Sequence, residues 1–362
     1  MKKKIISGFF SFLYIICFIF PMNSYADETK PDTGGFSFEV IQPENQHNKE
    51  VTYFDLLMKP GQKQTVQMKM NNSSDEEIKI SVKLNSAKTN SNGVIEYGPS
   101  QIKKDASLKY EFTDIVKAPE EVKIPAKGHI LVDFNITMPE STFEGYISGG
   151  IQLQQIDGEV KKQTDTGMVV NKFAYLVGML LSESDTKEIQ PDLKLNKVYP
   201  ELQNFRNAIF VNFSNVQPVY TEKMTVDAQI TKKGSSEVLY ETKKSNMRMA
   251  PNSMIEFPIS MNGEKMTPGD YQAKVLVTTV AGGKWAWDQS FKITNEEADK
   301  FNDQDLSLVQ DRGINWVLIL LIVGGILLVI IVVFVIIRLV SKKKQKKKQL
   351  KRKATKKKKT KK

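Results

Sequence analysis

The stretch GYISGGIQLQQ, residues 145–155, admits two readings. A glycine pair that opens a helix would cradle a phosphate on freed backbone amides. A glycine pair inside a strand marks a bend, a bulge or the close approach of another backbone. The residues after Gly149-Gly150 decide between them: Ile151 and Leu153 alternate with Gln152 and Gln154, the period of a half-buried strand. The pair is therefore read as structural, pinching a long strand. Gly145, just before Tyr146 where that strand opens, is placed with it.

The same alternation extends in both directions. Phe36, Phe38 and Val40 share a face, as do Val66, Met68 and Met70, then Ile78, Ile80, Val82 and Leu84, then Ile130, Val132, Phe134, Ile136 and Met138. Turn signals at Pro60-Gly61, Asn92-Gly93 and Lys127-Gly128 punctuate these runs. The pattern resumes in NAIFVNF, MTVDAQI, SMIEFPI, YQAKVLVTTV and KWAWDQSFKI. Between the halves lies SESDTKEIQPD, residues 182–192, a polar stretch with a proline that marks a domain boundary. The halves also echo each other: Pro125, Pro139, Gly145 and Tyr146 follow the same order as Pro251, Pro268, Gly269 and Tyr271. The fold class expected is all-β, with two tandem immunoglobulin-like β-sandwiches over residues 36–185 and 190–294.

The ends read differently. Lys2-Lys3-Lys4, an apolar run from Ile5 to Phe20 and Ser24-Tyr25-Ala26 describe a signal peptide over 1–26, with a flexible start at 27–35. Residues 295–315 are acidic and suit a short helical stalk. Trp316 to Ile337 is 22 residues without a charge, long enough for one transmembrane helix. The tail 338–362 holds 16 Lys/Arg and no acid, which orients it to the cytoplasm and the sandwiches outward. It serves as a stop-transfer device or as a hold on anionic lipid. No Leu-Pro-x-Thr-Gly motif precedes the span, so no sortase cleavage is expected. Setting aside the three leader lysines and the tail, the formal charge of +11 becomes −8 for Asp27–Ile337. Nucleic-acid binding by that region is not expected, because it needs a basic surface. The single cysteine, Cys17, lies in the leader, so the exported chain has no disulfide.

Nothing in the sequence announces catalysis. His47 and His129 have no second histidine or cysteine near them in sequence, and there is no Gly-x-Ser-x-Gly, His-Glu-x-x-His or Walker loop. No catalytic residue, cofactor or metal is expected. Binding is the alternative, and three patches suggest it. Residues 42–62 bring Asn45 and Gln46 to Tyr53 and Phe54, and rings beside amides suit carbohydrate; equally, Phe54 is core and the loop only a loop. Residues 85–98 form a hairpin excursion with Asn90, Asn92 and Tyr97, a composition that turns also use. Trp285 and Trp287 share a face and either fill the second core or anchor a partner.

The segments FSFEVIQPENQ, MPESTFEGYISGGIQL and NKFAYLVGMLLSES resemble the first domain of the WxL-interacting proteins. PDLKLNKVYPELQNFRNAIFVNFSN, MRMAPNSMIEFPISMNGEKMTPGDYQAKVLV and WAWDQSFKIT resemble their second. The resemblance covers nearly all of residues 36–310. It implies a membrane-anchored Gram-positive surface protein whose first domain binds peptidoglycan, whose second binds host molecules, and which acts with secreted WxL-domain proteins. Phe213 to Pro218 depart from the Leu-Gln-Asn-Pro-like turn usual in that family. The function expected is a non-catalytic scaffold that holds the cell wall through the first domain and a WxL-domain or host protein through the second. The alternatives are a membrane dock for a WxL-type protein without wall affinity, and a membrane-bound wall hydrolase, for which the sequence gives no sign.

Overall fold

The computed structural model describes residues 35–156, 173–308 and 316–359. The leader 1–26, and the start 27–35 apart from Gly35, lie outside those residues. The chain divides into two units, Met1–Asp305 and Leu306–Lys362.

Apolar residues at every second position give each strand of the first unit one buried and one wet face. One sheet runs β1 (Phe36–Ile41), β3 (Lys63–Asn72), β9 (His129–Thr137) and β7 (Val116–Lys117). It faces a second, ordered β2 (Phe54–Leu57), β11 (Ala174–Ser182), β10 (Ile147–Ile156), β4 (Ile78–Ser86) and β8 (Glu121–Ile124). All these pairings are antiparallel except β2 with β11. Val66, Met68 and Met70 meet Phe134, Val132 and Ile130 across β3 and β9 and, with Ile136, close one core with Phe54, Ile80, Ile151 and Met179. A second sandwich packs β12 (Leu193–Gln203), β13 (Arg206–Asn215) and β16 (Ser253–Ser260) against β15 (Val238–Met249), β14 (Thr221–Lys232), β17 (Gly269–Thr279) and β18 (Lys284–Ile293). Residues 183–192 connect the two sandwiches.

The glycine pair lies within β10, and both faces of the strand use it. A Cβ on Gly149 would stand 2.1 Å from the ring of Phe112, which the short helix α1 (Phe112–Ile115) seats fully buried in the first core. A Cβ on Gly150 would stand 2.4 Å from Cβ of Tyr97 and 2.5 Å from its carbonyl oxygen. The bare backbone therefore admits a ring on one side and a chain on the other. That chain leads back to the hairpin β5 (Lys88–Thr89) and β6 (Ile95–Glu96), which docks on the second sandwich. Ala250 N donates to Thr89 Oγ1 at 2.9 Å and Arg248 N to the Gly93 carbonyl at 2.8 Å. Lys244 Nζ donates to Asn92 Oδ1 at 2.7 Å.

The segment expected as a stalk begins as α2 (Asn295–Gln304), started by a capping box between Thr294 and Glu297. It is docked rather than extended: Ala298 and Phe301 enter the second core, and Asn207 N donates to Asp305 Oδ2 at 2.7 Å. The second unit contains α3 (Trp316–Lys359). Within it Ile319–Leu339 has a mean hydropathy of 3.6 over 21 residues, enough to cross a bilayer. The lysine-rich segment continues the same helix.

Gly149→Ala and Gly150→Ala should each lower the unfolding free energy by about 1–3 kcal/mol, the usual cost of overpacking. In Gly178→Ala the new Cβ would meet Tyr53 Cγ at an ordinary 3.8 Å. That change should stay within about 1 kcal/mol of wild type. Urea unfolding followed by fluorescence checks both, and equal stability of Gly149→Ala and Gly178→Ala would refute this account of the pair.

Candidate functional site

Beside the hairpin, where the two sandwiches meet, lies an open cleft of about 970 Å³. Its floor is the outer face of β11. Gly178 lies there between Leu176 and Leu180, while its direct partner on β10, Gly150, is buried beneath Tyr97. Gly178, without a side chain, leaves a flat patch of backbone in that floor. Tyr97 lies over Gly150 and Tyr53 lies beside Gly178. At Gly178 an aromatic ring shelters a strand glycine.

The walls come from both sandwiches. Tyr146 and Tyr220 are 5.8 Å apart with rings tilted by 52°. Tyr220 shares a short hydrogen bond with Ser148 Oγ and reaches Tyr97 OH at 3.2 Å. Tyr146 OH accepts from Thr186 Oγ1 at 2.7 Å, and Tyr146 N donates to the Pro218 carbonyl at 2.7 Å. A Cβ on Gly145, at φ +84°, would strike that carbonyl. The departing turn at Phe213–Pro218 is thus the contact that holds Gly145-Tyr146 in place. Arg248 forks onto both carboxylate oxygens of Glu222 at 2.6 and 2.7 Å, and Lys187 pairs with Asp185 at 3.0 Å.

The electrostatics follow from burial. Burial, then the charge of Asp55, raises the Tyr53 phenol above its ordinary value. Burial raises that of Tyr220 well above it, with Tyr97 adding to the effect. Asp55 is also raised by burial, against the opposing effects of His47 and the Asn48 backbone. The glutamate beside Arg248 holds its guanidinium charged. Among the described residues no group of three His, Cys, Asp or Glu is placed to hold a metal.

The residues singled out from sequence separate into two sets. Tyr53 and Tyr97 line the cleft. Phe54 is completely buried in the first core and faces away from it. Gln46 is 4% exposed and bonds the Asn48 and Tyr53 carbonyls, so it braces its own loop. Asn45 is occupied by the Leu57 carbonyl and by Gln64. Asn90 Oδ1 accepts from the Asn92 and Val94 amides, forming the turn, and Asn92 holds Lys244. Both tryptophans pack, partly buried, on the second core: Trp287 lies 5.3 Å from Phe213, and Trp285 Nε1 donates to Asp192 Oδ1 at 3.3 Å. Of the cleft's other lining residues, Tyr146 shows in the sequence only as a repeat position, and Tyr220, Gly178, His47 and Asp55 carry no motif. The register that pairs Gly150 with Gly178 is the signal that leads to them.

Two family sequence models match the chain. Residues 36–155 match the one described as "WxL Interacting Protein, peptidoglycan binding domain", and residues 164–303 the one described as "WxL Interacting Protein, host binding domain". Strand β11, inside the second match, is hydrogen-bonded into the first sandwich, so the cleft draws on both segments. No curated protein matches the sequence. Among solved structures, the chain is similar to the CupB2 chaperone of Pseudomonas aeruginosa, at 12% identity over 63% of this chain and 92% of that one, TM-score 0.25. It is similar to the Escherichia coli chaperone DraB, at 12% over 72% and 97%, TM-score 0.27. It is also similar to a PapD-like domain of human CEP192, at 10% over 44% and 92%, TM-score 0.26.

The raised phenol of Tyr220 predicts an alkaline sensitivity. The unfolded chain releases this proton near the ordinary tyrosine value of 10.0, whereas the folded state keeps it. The stability provided by the neutral phenol is therefore full below about pH 10 and is lost as pH rises toward the folded value. Unfolding free energy measured from pH 9 to 12 should fall less steeply in Tyr220→Phe than in wild type.

Proposed function

Because the chain belongs to the WxL Interacting Protein family, we propose that its first domain binds peptidoglycan in the tyrosine cleft while its second holds a protein partner. The protein is a cell-surface binding protein with peptidoglycan-binding and host-binding domains in that order. In this proposal the partner of the second domain is a WxL-domain surface protein or a host protein. The apolar helix forms a single membrane span, with the sandwiches outside and the basic tail inside. Binding is non-covalent and involves no nucleic acid.

The observation that carries the reading is the glycine floor between tyrosine walls. Gly178 opens a flat spot on the sheet between Leu176 and Leu180, and Tyr53, Tyr97 and Tyr146 line the same cleft. Such a spot accepts a flat, partly apolar group, with rings at its sides and phenols for polar contacts. Sugar rings and peptide chains both have that shape.

Purified sacculi and the full chain in detergent micelles test it. Tyr53→Ala and Tyr146→Ala should each weaken retention about tenfold, the loss of one aromatic contact of about 1.4 kcal/mol. Val280→Ser, at a residue 79% exposed and outside the cleft, should leave retention unchanged. Retention only in the presence of a WxL-domain protein would assign the wall contact to that partner and make this chain its membrane dock.

A further inference from the structure

Asp55 is the cleft residue whose chemistry the tyrosines do not explain. On β2 it stands between Phe54 and Leu56, both fully buried in the core, so its side chain turns to the opposite face, beside its partner Leu180. It is 7% exposed, and its Oδ1 has no hydrogen-bond partner. A buried carboxylate oxygen without a donor is costly and calls for an explanation. The cationic side chains of the second sandwich and the connecting segment do not supply one. Arg248 is committed to Glu222 and Lys187 to Asp185. Only His47 and the Asn48 backbone act to favour the charged form of Asp55.

The surroundings specify the missing group. Tyr53 is the second residue before Asp55, and its ring edges the same cleft. A carboxylate and an aromatic face both attract positive charge, and a charge-assisted bond to the carboxylate is the strong kind. A sugar hydroxyl would satisfy the oxygen but would leave its charge unmatched. We propose that Asp55 receives a primary ammonium group on the ligand, passing under the His47–Glu50 loop with Tyr53 at its side. The inference rests on the wall-binding reading and deepens it, because free amines occur on wall peptides and on sugars that lack an acetyl group. The shared chemistry is a primary amine held beside a flat body that lies on the Gly178 patch.

The test compares native sacculi with sacculi whose amines are capped by acetic anhydride, using the full chain in micelles. Wild type should bind capped sacculi at least tenfold more weakly. Asp55→Asn, with an unchanged thermal melt, should bind native sacculi as weakly as wild type binds capped ones, with no further loss on capping. Equal wild-type binding to both would overturn the proposal. Binding to neither would overturn the wall reading alone. The amine is then tested directly by NMR titration with Nα-acetyl-lysine methylamide, its Nε-acetyl form and glucosamine. Shifts of cleft tyrosine signals with a free amine, absent with the capped form and in Asp55→Asn, support the proposal. Whether the lysine or the glucosamine probe produces them distinguishes a peptide source from a sugar source. No shift with either free amine overturns the proposal.

Discussion

Two absent side chains organise the larger unit of this molecule. At Gly149 the sheet gives way inward to Phe112, and at Gly150 it gives way outward to the backbone of Tyr97. A strand with ordinary residues at both positions would push the α1 ring out of the core and lift the hairpin off the sheet. The hairpin matters because it carries the contacts from Thr89, Asn92 and Gly93 to the second sandwich. Close packing makes each of these placements depend on its neighbours. The cleft between the sandwiches is the space left once they are satisfied.

The junction is mostly polar, which sets its character. Thr89 and Ser253 hydroxyls meet at 2.6 Å, Ser214 donates to buried Asp105, and Asn252 reaches Ser107 at 3.2 Å. The apolar part is small: Ala87, Ile95 and Ala250, with Tyr97 and Tyr220 against them. Polar bonds fix direction more sharply than apolar contact does, so this interface holds one register between the sandwiches. Tyr220 joins that network and also walls the cleft, so the walls are as fixed as the junction.

How far the sequence reveals this depends on whether a residue belongs to a period. Val66, Met68 and Met70, or Val132, Phe134 and Ile136, show their buried face because strands alternate, and the core comes from that alone. The glycine pair is legible for the same reason, since Ile151 and Leu153 continue the alternation beyond it. Loops have no period. Asn45, Gln46 and Asn90 have the composition of a sugar-binding surface, but in the structure their amides serve their own backbones. Trp285 and Trp287 share a face, and spacing does not say that this face turns inward. Asp55 is hidden for a further reason: its meaning lies in a partner it lacks, and only three-dimensional packing shows that. The repeat, too, misleads in detail. Tyr271 bonds the Thr267 carbonyl within the second core, while its counterpart Tyr146 faces the cleft.

The docking of α2 has a mechanical consequence. The chain leaves the second sandwich at Asp305, twelve residues beyond the end of the edge strand β18, which a direct pull at Ile293 would unzip one bond at a time. The helix stands in the way. Phe301 is inserted in the core, Asn302 bonds Met266 through both its amide and its carbonyl oxygen, and Asp305 is tied to the far hairpin at Asn207. Tension entering from the C-terminal side therefore reaches β13 first and meets several bonds loaded together in shear. The helix works as a strain relief, so that a tug on the tether is spread across the sandwich before any strand can peel.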